Sequence, residues 1–306
     1  MASALFHGAA SIIAAFATVK GGAFGIDLWT KANVELSDSP RINAQIKGSP
    51  KEDTRLAELC VRNTLRHFGL KYGAKVETES NIPIAAGLKS SSVAANAVVL
   101  ATLGALAEKH GEVRKVRLSK TESRQELFLK NKIVEPVDLI NIGVDSALQA
   151  KVTVTGAYDD ACASYFGGYV ITDNRERTIA RRGDMENLSV VIMLPERRIY
   201  TKKADLRRIS SIKNSVDAAW NLALEGQLYT AVTLNGFMHS LAFNLDSEAA
   251  MKALDAGAIA AGLSGKGPAV VALARGNVKK ILKAWKGIEG KVIEAKTNNI
   301  PAMIIA

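Results

Sequence analysis

Three observations predict an α+β fold in two halves. The 306 residues are enough for one large domain or two ordinary ones, each with a sizeable core. Strand-like alternation and helix-like periodicity come in mixed order, not in the strict β-α repeat of a doubly wound sheet. A polar stretch near 170–188, "TDNRERTIARRGDMEN", divides the chain and sets expected domains at 1–172 and 187–306.

The elements follow in order. "SIIAAFATV" alternates as a buried strand, as do "AFGIDLWTKANVEL" and "INAQIK" after it. Ser49, Pro50 and Glu52 spell a capping box with a compatible proline, which predicts a helix from there to about Phe68. Leu56, Leu59, Cys60, Asn63 and Leu65 form its imperfect stripe. "YGAKVETES" reads as a strand. Ser91 to about Lys109 reads as a helix apolar nearly all round, hence buried on most sides. Helices are expected near 119–131 and 136–149, then a β-rich "KVTVTG", a helix in "ACASYF" and a strand in "YVIT". The second half reads as the buried strand "LSVVIMLP", helices in "AAWNLAL" and "LYTAVTLNGFMHSLAF", then strand, glycine loop, strand, helix and strand.

Composition excludes several function classes. Apolar residues are 48% and charged residues 23%, ordinary for a soluble globular enzyme. The first nineteen residues carry no Lys, Arg, Asp or Glu. They also lack a basic n-region, and His7, Gly8, Ser11 and Thr18 interrupt the apolar run, so a cytoplasmic chain is expected rather than a secreted or membrane one. Two cysteines, Cys60 and Cys162, cannot form a disulfide framework, and four histidines without helical pairing give no zinc site. The net charge of +10 suits anionic substrates. Aromatics at 6% do not interleave with the basic runs as a nucleic-acid stacking platform requires, so no nucleic-acid or membrane partner is expected.

Chemistry concentrates in three places. "IPIAAGLKSSSVAANA" sets Gly87, Lys89 and the serines Ser90, Ser91 and Ser92 at the start of an apolar helix. The glycine permits positive φ and close backbone approach, the helix N-terminus favours an anion, and small hydroxyl residues let a polyphosphate lie against the backbone. One capping serine would suffice for the helix alone. The usual phosphate loop, G-x-x-x-x-G-K-[ST], is absent, which excludes a Walker-type kinase. The second place is "TGAYDDACASYFGG" at 155–168, with adjacent carboxylates at a helix start. The third is the glycine-rich "GLSGKGPA" at 262–269.

Together, and in this order, the three stretches resemble the motifs of the GHMP kinases (galactokinase, homoserine kinase, mevalonate kinase, phosphomevalonate kinase). The wording is most similar to the archaeal type of shikimate kinase. "GGAFGIDL" at 21–28 resembles the tail of the family's first motif, although the Pro-Gly-Lys of many members is replaced by Gly8-Ala9-Ala10-Ser11, with Lys20 a stand-in for the lysine. The resemblance implies an N-terminal domain like ribosomal protein S5 and a ferredoxin-like C-terminal domain. It implies an ATP- and Mg²⁺-dependent transfer of the γ-phosphate to the 3-hydroxyl of shikimate, by a monomer or homodimer. A kinase for homoserine, mevalonate or another small alcohol is the alternative, and a non-catalytic binder of the same fold stands behind it.

The same resemblance assigns roles. Asp160, seven positions before Gly167, would accept the substrate proton, with adjacent Asp159 as competitor. Pro83, Ala85, Ala86, Gly87, Leu88, Lys89, Ser90, Ser91, Ser92, Gly265 and Gly267 would contact ATP and its phosphates. Ser91 and Asp145 would hold Mg²⁺. Lys20, Gly262, Ser264 and Arg197 would meet the substrate. The substrate carboxylate calls for a cation, for which Arg197, Arg198, Lys202, Lys203 and Lys89 are all candidates.

Overall fold

The computed structural model describes residues 1–84, 86–117, 123–196 and 206–305. The first half carries β1 (Ala2–Ile13), β2 (Lys20–Ser37), β3 (Ile42–Ile46), α1 (Arg55–His67), β4 (Gly73–Ser80) and α2 (Ser90–His110). It continues through β5 (Gly111–Arg117), β6 (Ser123–Leu129), β7 (Lys132–Ile133), α3 (Pro136–Gln149), α4 (Tyr158–Phe166), β8 (Tyr169–Asp173) and β9 (Thr178–Gly183). The second half carries β10 (Ser189–Pro195), α5 (Leu206–Ser211), α6 (Lys213–Leu224), α7 (Leu228–Phe243), α8 (Glu248–Asp255), β11 (Ala260–Leu263), β12 (Val270–Ala274), α9 (Val278–Ala284), β13 (Gly290–Lys296) and β14 (Met303–Ile304).

The large sheet runs β14-β1-β2-β4-β3, with β3 and β4 parallel and the other pairs antiparallel. At eighteen residues, β2 is long enough to fork: Lys20–Phe24 pairs with β8 and Thr30–Ser37 with β4. The C-terminal tail threads this fork. Asn298 N–H donates to Gly25 O at 2.9 Å and Gly168 N–H to Asn298 O at 2.8 Å. A Cβ on Gly25 would lie 2.6 Å from Asn298 O, so a glycine is required there.

Helix α2 packs against β1 and β2 and is surrounded by α1, α3 and α4. By length and composition it could cross a membrane, yet it is the core helix of this fold. Leu103 and Leu106 are fully buried, each contributing roughly 1.5–3 kcal/mol. The second sheet, β11-β12-β10-β13, is antiparallel throughout, with α7 and α8 on β11 and α9 on β10. Its core includes Trp285, whose indole N–H donates to Ala249 O at 2.8 Å.

Four local expectations are corrected. The first strand ends at Ile13, because Ala15–Thr18 turns back toward β2. Ser49–Glu52 forms a turn, with Glu52 N–H donating to Ser49 O, and the helix starts only at Arg55, where Thr54 Oγ1 bonds Glu58. The expected helix at 119–131 is strand β6: Leu127 and Leu129 alternate into the core and the backbone pairs with β5 and β7. "KVTVTG" is a turn with no strand partner among the described residues, and Val154 is 86% exposed. The polar stretch after 172 also carries structure, since β9 pairs with β8 in the first sheet.

Helix α7 is seated on β11 at a glycine–glycine contact. A Cβ on Gly236 would lie 2.4 Å from Gly262 Cα. Gly236→Ala is therefore expected to destabilise the protein by about 1–3 kcal/mol, measured as a lower urea midpoint; an unchanged midpoint would mean that α7 is free to lift from β11.

Candidate active site

The chain enters α2 through a sharp turn. Gly87 (φ 83°) and Lys89 (φ 66°) both occupy the left-handed region, which turns the chain sharply into the helix. Leu88 between them is fully buried and anchors the turn, so its side chain faces the core. Among the described residues, no backbone carbonyl accepts from the N–H groups of Ser90, Ser91 and Ser92, and their hydroxyls make no side-chain cap. These donors and the macrodipole point out of the helix end. Ala86 accepts from Ala269 N–H at 3.1 Å, Pro83 is half-buried, and Ala85 lies outside the described residues.

The third motif closes on the first. Ser264 Oγ donates to Gly87 O at 2.9 Å and accepts from Ser11 N–H at 3.2 Å, while Gly265 N–H donates to Ser11 Oγ at 3.0 Å. A Cβ on Gly87 would lie 2.2 Å from Ser264 O, and one on Gly265 3.0 Å from Lys89 Nζ. Gly267 adopts φ 76° against Leu263. Ser264 is thus a strut between the two halves, and Gly262 serves the contact with α7.

The two aspartates at the start of α4 have different surroundings. Asp159 is held: Asn174 Nδ2 donates to its Oδ1 at 2.7 Å, and its own N–H donates to Asn174 Oδ1 at 3.2 Å. Thr172 Oγ1 fixes that amide by donating to Asn174 Oδ1 at 2.7 Å, and Gly21 packs so closely that a Cβ there would lie 2.5 Å from Asp159 Cγ. Asp160 is equally buried, yet no well-aligned hydrogen bond reaches its Oδ1 among the described residues. Its counter-charge is Lys89 Nζ, 3.0 Å away, with both side chains almost wholly enclosed. Burial, and secondarily the neighbouring Asp159 charge, push the Asp160 carboxyl up to about 7, and Lys89 opposes this only in part.

Ser91, half-buried at the helix end, offers a hydroxyl of the kind that suits Mg²⁺ beside phosphate oxygens. Asp145 does not fit as the second ligand. Arg177 donates to its carboxylate at 2.6 Å, and the side chain is half exposed. Among the described residues, no group of three His, Cys, Asp or Glu side chains is gathered for a metal.

Lys20 pairs with Asp217 at 3.0 Å, lies over the Trp220 ring, and lines a cavity of about 220 Å³ with Thr18, Asp173, Arg175, Lys213 and Asp217. Arg197, Arg198, Lys202 and Lys203 lie outside the described residues. Both cysteines are buried, and burial pushes both thiols up, so neither is a nucleophile. Sequence reasoning missed the parts that Ser11 and Asn174 play in this network. Only the Gly21-Gly22 pair hinted at a close approach near β2.

Comparison with known proteins agrees with this geometry. Residues 55–168 match the GHMP kinases N terminal domain and residues 246–290 the GHMP kinases C terminal domain. The chain is 42% identical to a shikimate kinase of Methanosarcina acetivorans, over 97% of this chain and 94% of the relative. It is 36% identical to one of Pyrococcus furiosus, over 94% and 96% respectively. A homoserine kinase structure from Cytophaga hutchinsonii superposes with a TM-score of 0.71 at 20% identity, covering 99% of this chain and 97% of that one. The Methanococcus jannaschii mevalonate kinase does so with 0.71 at 15% identity, covering 96% and 98%.

Asn174→Ala would remove both hydrogen bonds that hold Asp159 and leave a buried carboxylate unpaired. The expected loss is about 1–3 kcal/mol of stability, read by chemical denaturation; a stability equal to wild type would mean that Asp159 is held by other groups. On its fold and its match to both family domains, the chain belongs to the GHMP kinases.

Proposed function

We propose that the chain is a shikimate kinase: it transfers the γ-phosphate of ATP to a ring hydroxyl of shikimate, giving shikimate 3-phosphate and ADP. The observation that carries this is Asp160, a buried carboxylate whose Oδ1 has no well-aligned hydrogen bond among the described residues and which is ion-paired to Lys89, the residue that begins α2. The substrate is supported by relatives 35–43% identical along nearly the whole chain, each a shikimate kinase. The homoserine and mevalonate kinases share the fold at 15–20% identity.

In this reading, the free N–H groups and hydroxyls of Ser90 to Ser92 bind the triphosphate. Ser91 would help hold Mg²⁺, which would supply charge neutralisation for the transferred phosphate. Asp160 accepts the proton as the substrate hydroxyl oxygen bonds to the γ-phosphorus and the bond to ADP breaks. Asp159, held by Asn174, is the structural partner. Lys89 keeps the base and the phosphate loop at one spacing. For the substrate carboxylate, the cavity lined by Lys20, Arg175 and Lys213 is the best-supported place. Three cations there face two acids, and Gly21 and Asn174, the neighbours of Lys20 and Arg175, both touch Asp159.

ADP release with Mg·ATP should appear with shikimate and not with homoserine or mevalonate at matched concentrations; turnover with another alcohol alone would keep the fold and discard the substrate. Asp160→Asn should lower kcat by roughly 10²–10⁴-fold while nucleotide affinity holds, and near-normal turnover would remove Asp160 from the role. A base acts deprotonated and the Asp160 pKa is raised, so kcat/KM should rise with pH through about 7. A profile flat from pH 5 to 8 would contradict the assignment.

A further inference from the structure

We propose that Asn235 and His239, one turn apart on α7, form a two-point seat for a non-reacting hydroxyl of the substrate, so that this helix selects a polyhydroxy acid over a simple alcohol. The proposal rests on the kinase reading above.

The hydrogen-bond directions follow from the partners. Ala14 N–H can only donate, and it lies 3.0 Å from Asn235 Oδ1, so the amide's free end is Nδ2. The carbonyl of Asn235 can only accept, and His239 Nδ1 lies 3.0 Å from it, so that nitrogen carries the ring's proton. Burial holds the imidazole neutral by pushing it down to about 4, which leaves Nε2 a bare acceptor. Asn235 is 1% exposed and His239 fully buried, and neither Nδ2 nor Nε2 has a partner among the described residues. Residues four apart share a helix face. That face therefore presents one donor and one acceptor, the complement of a hydroxyl. An anion would be repelled by the Nε2 lone pair and a cation by the amide hydrogens.

The position supports a substrate contact. The pair faces the end of β1: Ala14 is bonded to Asn235, and the Phe16 ring centroid lies 6.2 Å from that of His239. Three residues before Ala14, Ser11 bonds Gly265, which abuts Lys89 Nζ, the partner of Asp160. An adjoining side of α7 is pinned to β11 through Gly236 and Gly262, so the two polar atoms are held in place before any ligand arrives. A buried donor and acceptor left unmatched are costly, and a site that hydrogen-bonds a substrate hydroxyl discriminates strongly against an analogue lacking it.

The test crosses the protein and the substrate. kcat/KM is measured for shikimate and for analogues each lacking one non-reacting ring hydroxyl, on wild type, Asn235→Leu, His239→Phe and His239→Gln. With wild type, one analogue should lose about 10²-fold or more relative to shikimate. Asn235→Leu and His239→Phe should lose comparably on shikimate yet show little further loss with that analogue. His239→Gln, which keeps an acceptor, should recover part of the discrimination. Equal fold-losses with the analogue in wild type and in every soluble variant would overturn the proposal and leave the pair a structural role. Absence of wild-type turnover with shikimate itself would overturn the substrate reading and this proposal together.

Discussion

A buried ion pair, Lys89 with Asp160, is the constraint around which the site is arranged. It joins the N-termini of two helices, α2 with its unpaired first-turn donors and α4 with the two carboxylates. Charges so enclosed persist only where each finds a counter-charge or can shed its own. Here the balance is incomplete: burial and Asp159 together outweigh Lys89, and Asp160 sits near the point of holding or releasing a proton. The different surroundings of the two adjacent aspartates trace to one asparagine, Asn174, in the turn after β8.

The second half of the chain completes the same site. The loop after β11 lies so close to the phosphate loop that both need glycines where they meet, and Ser264 bridges them through Ser11 of β1. Close backbone approach explains the small residues on both sides better than turn geometry alone. The fork in β2, closed by the C-terminal tail, holds Gly21 and β8 in the register that presents Asn174 to Asp159. Distant parts of the fold thereby fix the position of one side chain.

Much of this was legible in the sequence. Alternation and periodicity located most strands and helices, because a half-buried strand and a buried helix leave different apolar patterns. The sharp turn into α2 was legible because a glycine stands just before the lysine and three serines of a helix start. Where reading failed, a nonlocal contact had decided the structure. "RQELFLKNK" carries good helix formers, but Leu127 and Leu129 pack beneath a strand that pairs with β5 and β7. The capping box at Ser49 is a true turn whose helix begins later. Asp145 looked free until Arg177, thirty-two residues away, proved to hold it. Asn174, Asn235 and His239 were invisible for the same reason: a polar residue in an apolar run means little until its partner is known.

The central claim is that Asp160 is an unsaturated, proton-exchanging carboxylate beside Lys89. The most direct measurement is a carboxyl ¹³C NMR titration of aspartate-labelled protein, with the Asp160 signal assigned by its loss in Asp160→Asn. The account predicts a midpoint near 7 that moves higher in Lys89→Met, where the stabilising charge is gone. A midpoint near the ordinary aspartate value of about 4, unmoved by that substitution, would contradict it.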